Sequence, residues 1–143
     1  GKWIKHSGWY PGRHLRLFDS TKGKWGGINP HDTVKMNPGC RVKWLKGDLY
    51  HWYFQTVEEH LDKMNRFSTI LANEYFRAGR KAGPCDAAFH RSWRFLRTFI
   101  IERGFLDGYT GYLACSISAH ASFLKYAKLR MLNLKAKKSP AIK

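Results

Sequence analysis

The segment "TVEEHLDKMNRFSTILANEYFRAGRKAG", Thr56 to Gly83, constrains the chain most, because its spacing admits one secondary structure. Thr56 and Glu59 stand in the T-x-x-E relation of a capping box. Glu58 and Glu59 put negative charge where a helix amino terminus carries partial positive charge. Leu61, Met64, Phe67, Leu71 and Tyr75 then recur at intervals of three and four, one face of a helix. A basic, glycine-marked end and the Gly83-Pro84 pair stop it. The rest of the chain must be arranged around this helix.

Upstream the grammar differs. The residues before about Gln55 are rich in Gly, Trp and short alternating runs, which predict strands at about 3–6, 14–18, 24–26, 33–36 and 42–44, with "GDLYHWYF" as a last one. In "GWYPGRHLRLF" Pro11 fixes φ and Gly12 tolerates a left-handed conformation, so a type II turn leading into a strand is expected. Trp9 and Tyr10 on that turn either cover a core or line a site. In "GGINPHD" His31 and Asp32 sit side by side on a Gly/Pro loop, a pair able to bind a divalent metal, share a proton or cap a turn. His51 lies isolated among aromatics.

Downstream, a second helix is predicted from about 87 to 103. Phe89, Trp93, Phe95, Leu96, Phe99 and Ile100 fall in one arc, and Arg91, Arg94 and Arg97 in the complementary one. Core packing and an interfacial helix both fit that pattern. A third helical region is expected over about 109–134. Its uncharged part, Gly108 to Leu124, is short and polar for a membrane span, and a helix lying in or dipping into an interface suits it better. Lys125, Lys128 and Arg130 follow directly, then Lys135, Lys137 and Lys138, a polybasic run of the kind that meets anionic lipid. A solvated tail from Lys135 onward fits equally.

A length of 143 residues suits one domain, and a 43% hydrophobic share excludes a disordered chain. The 26 Lys and Arg against 10 Asp and Glu give a formal charge of +16, which attracts polyanions without choosing among them. Cys40, Cys85 and Cys115 are scattered and odd in number, so free thiols are expected rather than a disulfide framework or zinc finger. No P-loop, G-x-S-x-G, HExxH or DxD motif occurs, and the residue types alone name no reaction.

The ordered run of motifs, "WYPGRHLRLF", "GGINPHD", "LYHWYF", "HLDKMNRFST" and "RGFLDGYTG", resembles the C-terminal half of bacterial family-2 glycosyltransferases. The subgroup it is most similar to adds sugars to the lipopolysaccharide inner core. The resemblance implies an α+β fold: a short-stranded mixed β region, the C-terminal part of a GT-A Rossmann-like fold, followed by three amphipathic helices. Residues 1–55 would be the acceptor-side β region and 56–143 a helical, membrane-associating unit. It also implies transfer of a sugar from a nucleotide-sugar donor to a glycolipid or lipopolysaccharide-core acceptor, with a divalent metal, Mg or Mn, at the cytoplasmic face of a bacterial inner membrane.

Position by position, the resemblance makes Asp32 the catalytic base and His31 a metal or diphosphate contact. Arg16 would meet the diphosphate, Trp9 and Tyr10 would wall the sugar, and His51 would be a further metal ligand. Arg91, Trp93, Arg94, Arg97, Lys125, Lys128 and Arg130 would meet an anionic membrane. The family's nucleotide-binding half with its DxD would precede Gly1, so this piece alone is expected to be inactive. Two rival readings stand beside it, a basic nucleic-acid-binding module and a non-catalytic membrane-binding domain. The first lacks any RNP, KH or helix-turn-helix signature.

Overall fold

Thr56 does what the spacing predicts. Its Oγ1 accepts from the Glu59 N–H at 3.1 Å, and the Glu59 carboxylate reaches back to the Gln55 N–H at 2.9 Å, so helix α1 starts cleanly and runs Val57–Arg77. The computed structural model describes residues 3–27, 33–49 and 55–138. After α1, Gly79 takes φ +73° with its N–H on the Phe76 carbonyl, which ends the helix.

Helix α2, Asp86–Leu96, passes without a break into a π-helical turn, Arg97–Ile101, and a 3₁₀ turn, Gly104–Asp107, leads into helix α3, Gly108–Lys138. Its 31 residues make α3 about 46 Å long. It is the axis of the molecule, packed against α1 along one side and α2 along another, while those two do not pack on each other. Gly111, Ala114, Cys115, Ile117, Ala119 and Leu129 of α3 are buried.

This arrangement corrects three expectations. The α1 residues that disappear from solvent are His60, Ser68 and Ala72, not the Leu61-to-Tyr75 line, and Leu61 is exposed. Small side chains at i+8 and i+12 from His60 let α1 lie close to α3, and the larger residues splay to its flanks. Helix α3 is not amphipathic, since neighbours on two sides leave it no single apolar face. Its apolar run serves helix packing, and no helix among the described residues is long and apolar enough to cross a membrane. The apolar arc of α2 divides. Phe95 and Phe99 turn inward, stacked at 5.1 Å and edge-on to Tyr112, whereas Phe89, Trp93, Leu96 and Ile100 face outward.

Polar side chains fix how the helices meet. Tyr126 of α3 stacks on His90 of α2 at 3.8 Å and meets Tyr75 of α1 edge-on at 6.3 Å, touching both neighbours at one level. Burial pushes the Tyr126 phenol up from its ordinary value. The Lys128 ammonium lies 2.6 to 2.9 Å from Asn65 O, Asn65 Oδ1, Ser68 Oγ and Thr69 Oγ1 of α1. Burial pulls its pKa below that of a free lysine. Asn133 clamps the α1–α2 connection, accepting from the Ala82 N–H and donating to the Arg80 carbonyl.

The β region is smaller than expected. Strands β1, Gly23–Gly26, and β2, Thr33–Met36, pair antiparallel with Trp25 opposite Val34 and Lys24 opposite Lys35. They are the only sheet among the described residues, which gives a mixed arrangement of one two-stranded sheet and three helices. Segments 3–6, 14–18 and 42–44 carry strand-like patterns but form no ladder, because no neighbouring strand lies alongside. Of "GDLYHWYF", Gly47 to Leu49 are not a strand and the rest lies outside the described residues. Gly12 does not take positive φ, so the predicted type II turn is not formed. The three cysteines are free thiols, as expected.

Candidate functional site

The amino-terminal segment is held to the helical unit by a carboxylate. Asp107, buried at the end of the 3₁₀ turn, accepts the Lys5 and His6 backbone N–H groups on Oδ2 at 3.1 and 2.8 Å, and its Oδ1 lies 2.9 Å from His6 Nδ1. Burial alone would raise the Asp107 pKa, but the His6 ring, the His6 N–H and the Lys5 N–H outweigh it. The carboxyl therefore sits below its ordinary range and is ionised at neutral pH. An ionised acceptor requires the proton on His6 Nδ1, on a ring 35% exposed to solvent.

Ser7 continues the clasp. Its backbone takes φ +63°, its N–H donates to the Glu102 carbonyl at 3.0 Å, and its Oγ lies 3.2 Å from Cys115 Sγ. Two glycines of "RGFLDGYTG", Gly104 and Gly111, permit this close packing. A Cβ on Gly104 would collide with Ser7 Oγ and sit 2.8 Å from Cys115 Sγ and the Thr98 carbonyl, and one on Gly111 would collide with the Gly104 carbonyl. Glu102 is steadied by Arg97 Nε at 2.9 Å.

Beyond the clasp, Trp9 meets the ring of His60 edge-on, with centroids 6.4 Å apart. His60 is 2% exposed, and desolvation, helped by the nearby Lys63 charge, pulls its pKa down to about 4. Tyr10 is exposed and donates from its hydroxyl to Asp48 Oδ2 at 3.3 Å. Arg13 lies over the Trp44 ring at 4.8 Å, and Arg16 is exposed in the irregular segment that follows. The structure thus places Trp9 against α1 and Tyr10 against the 41–49 segment, not together as one wall. His31, Asp32 and His51 lie outside the described residues. Among the described residues, no three His, Cys, Asp or Glu side chains come together to hold a metal ion.

Of the residues assigned to a membrane, Arg91, Trp93, Arg94 and Arg97 are exposed on α2 and its extension. Lys125 lies over the Tyr75 and Tyr126 rings, Lys128 is turned to α1, and Arg130 is half-buried. His6, Ser7, Asp107 and His60 are the residues sequence reasoning missed. "RGFLDG" was visible as a motif, but its partner "KHSG" lies about a hundred residues upstream and has no local signal.

A Rickettsia typhi protein is 33% identical to the chain over 111 residues, and a Rickettsia prowazekii protein is 34% identical over 110. A third, from Rickettsia bellii, is 32% identical over 108 residues. All three are named uncharacterized glycosyltransferases. The matches take in 73 to 75% of this chain and 37 to 38% of each relative, so the chain spans well under half of their length. No family model matches the chain, and no solved structure matches it.

Asp107→Ala is expected to cost about 2–3 kcal/mol in urea unfolding, the range of hydrogen bonds to a charged group. His60 supplies a pH dependence of definite sign. Between its folded pKa of about 4 and the ordinary value near 6.5, the unfolded chain binds the extra proton. Stability therefore falls as pH drops, by about 2–3 kcal/mol between pH 7 and 4.5 from this group. His60→Gln is expected to flatten the unfolding free energy against pH by that amount.

Proposed function

We propose that this chain is the acceptor-side part of a family-2, GT-A-type glycosyltransferase. It would move a sugar from a nucleotide-sugar to a lipopolysaccharide-core or other glycolipid acceptor at the cytoplasmic face of a bacterial inner membrane. The observation that carries the reading is the 33% identity over 111 residues to a protein named a glycosyltransferase. The order of the "WYPG", "LRLF", "NPHD" and "RGFLDG" motifs supports the finer family assignment.

In an inverting transfer the acceptor hydroxyl oxygen bonds to the anomeric carbon as the nucleoside diphosphate leaves with its electron pair. Asp32 is the carboxylate assigned to take the hydroxyl proton. Arg16, which is exposed, would offer a planar guanidinium to the departing diphosphate, whose negative charge grows through the step. Trp9, anchored against His60, and Tyr10 supply aromatic surface for a sugar. His31 and His51 are the residues that would face a divalent ion, which when bound neutralises diphosphate charge. The clasp at Asp107 is a positioning element that sets where the Trp9–Arg16 segment leaves the helices.

Apolar surface on the β region fits a piece of a longer transferase. Leu17, Trp25, Trp44, Leu45 and Leu49 are each more than half exposed, and strands β1 and β2 pack on none of the helices.

Produced at the length of its relatives, the Asp32→Asn variant is expected to lose at least about a hundredfold in sugar transfer. Nucleoside diphosphate release reads that loss, and an unchanged circular dichroism spectrum shows that the fold is kept. Turnover near that of the unsubstituted protein would remove Asp32 from the base role.

A further inference from the structure

Phe89, Trp93, Leu96 and Ile100 follow at intervals of four, three and four along the outer side of α2 and its π-helical extension, and each is at least half exposed. Ile101 and Leu106 extend the same kind of surface. Exposed apolar stripes of this size on a charged protein mark a contact surface rather than chance exposure.

About a quarter turn around α2 from that stripe stand His90, Arg94 and Arg97. They form one wall of a groove of about 160 Å³ whose other wall is Ser122, Lys125 and Tyr126 of α3. Trp93 belongs to both the groove and the stripe. Three of the lining residues are permanent cations at neutral pH, a fourth is histidine, and no carboxylate lines the groove.

The cations are held in place. Arg94 Nε donates to Ser118 Oγ at 3.1 Å and Arg97 Nε to Glu102 Oε1 at 2.9 Å, which orients both guanidinium planes and leaves their Nη donors for another acceptor. His90 is stacked on Tyr126, and the Lys125 ammonium lies 4.6 Å over the same ring. A fork of oriented N–H donors beside an ammonium is the donor set that tetrahedral phosphate oxygens accept from.

We propose that this groove binds the phosphate of an anionic phospholipid headgroup while Phe89, Trp93, Leu96 and Ile100 enter the interfacial layer of the bilayer. An amphiphile with an anionic head and an apolar body matches groove and stripe at once. Free phosphate would satisfy only the groove, and a nucleic acid only the charge. Helix α2 is then the membrane-facing edge, and docking is specific rather than a diffuse response to the charge of +16. The inference rests on the membrane-docking part of the function proposed above and names its site.

The test is co-sedimentation of the chain with vesicles of phosphatidylcholine alone and of phosphatidylcholine mixed with phosphatidylglycerol. Three double variants are compared. Arg94→Gln with Lys125→Gln alters the groove, and Phe89→Ser with Leu96→Ser alters the stripe. Lys43→Gln with Lys46→Gln removes two exposed charges outside both. Binding to the mixed vesicles is expected to fall about tenfold for the groove pair, to fall for the stripe pair as well, and to change little for the control. If thermal melting shows that Lys125→Gln weakens the fold, Arg94→Gln alone carries the comparison.

Equal losses for the groove and control pairs would overturn the headgroup site and leave membrane docking standing. Absence of binding to either vesicle would overturn both. Retention of inorganic phosphate without vesicle binding would make the groove a free-phosphate site and overturn the lipid assignment.

Discussion

The carboxylate of Asp107 is the centre of the clasp that ties the amino-terminal segment to the helices. Strands β1 and β2 pack on none of the helices, and a two-stranded hairpin alone is marginal in water. The segment leading to it is tied to the helical unit at Lys5 and His6, whose N–H groups and imidazole converge on that one side chain. The tie is strong because its acceptor is charged and shielded, and its geometry is fixed because Gly104 and Gly111 admit Ser7, Cys115 and the 3₁₀ turn within contact distance. Trp9 then rests on His60 of α1, so the clasp determines where the exposed Tyr10-to-Arg16 stretch begins.

The helical unit is organised by α3, and by polar contacts as much as by apolar burial. Tyr126, Lys128 and Asn133 each join α3 to a different part of its surroundings, namely the α1–α2 pair of aromatic rings, the middle of α1 and the α1–α2 connection. Lys128 shows why a basic run need not be a solvated face. Its ammonium is surrounded by four oxygen atoms of α1. Arg94, Arg97 and Lys125, by contrast, open on a groove without a carboxylate, next to apolar side chains that nothing in the described residues covers.

What was legible in the sequence was local. The Thr56–Glu59 capping box and the glycine stop gave α1, and the free cysteines followed from their spacing. What was not legible was set by distant partners. Leu61 looked like core, but α3 demanded small residues, so Ser68 and Ala72 are buried instead. Residues 14–18 alternate like a strand, yet a strand exists only where a neighbour supplies the other half of its hydrogen bonds. Asp107 stood only as one letter of the "RGFLDG" motif, because its partners lie 101 and 102 positions away. For the candidate site, Tyr10 and Arg16 are exposed and the half-buried Trp9 rests on His60 of α1, while His31, Asp32 and His51 lie outside the described residues.

The similarity to named glycosyltransferases and the placement of Trp9 and Tyr10 bear on one physical claim: the clasp gives the amino-terminal segment a fixed origin on the helices. Native-state hydrogen exchange of the Lys5, His6 and Ser7 amides tests it directly, since each of those N–H groups donates to Asp107 or to the Glu102 carbonyl. The account predicts protection approaching that of the buried α3 amides at Cys115 and Ile117, with His14 to Leu17 exchanging far faster. Equal, fast exchange at residues 5–7 and 14–17 would contradict it.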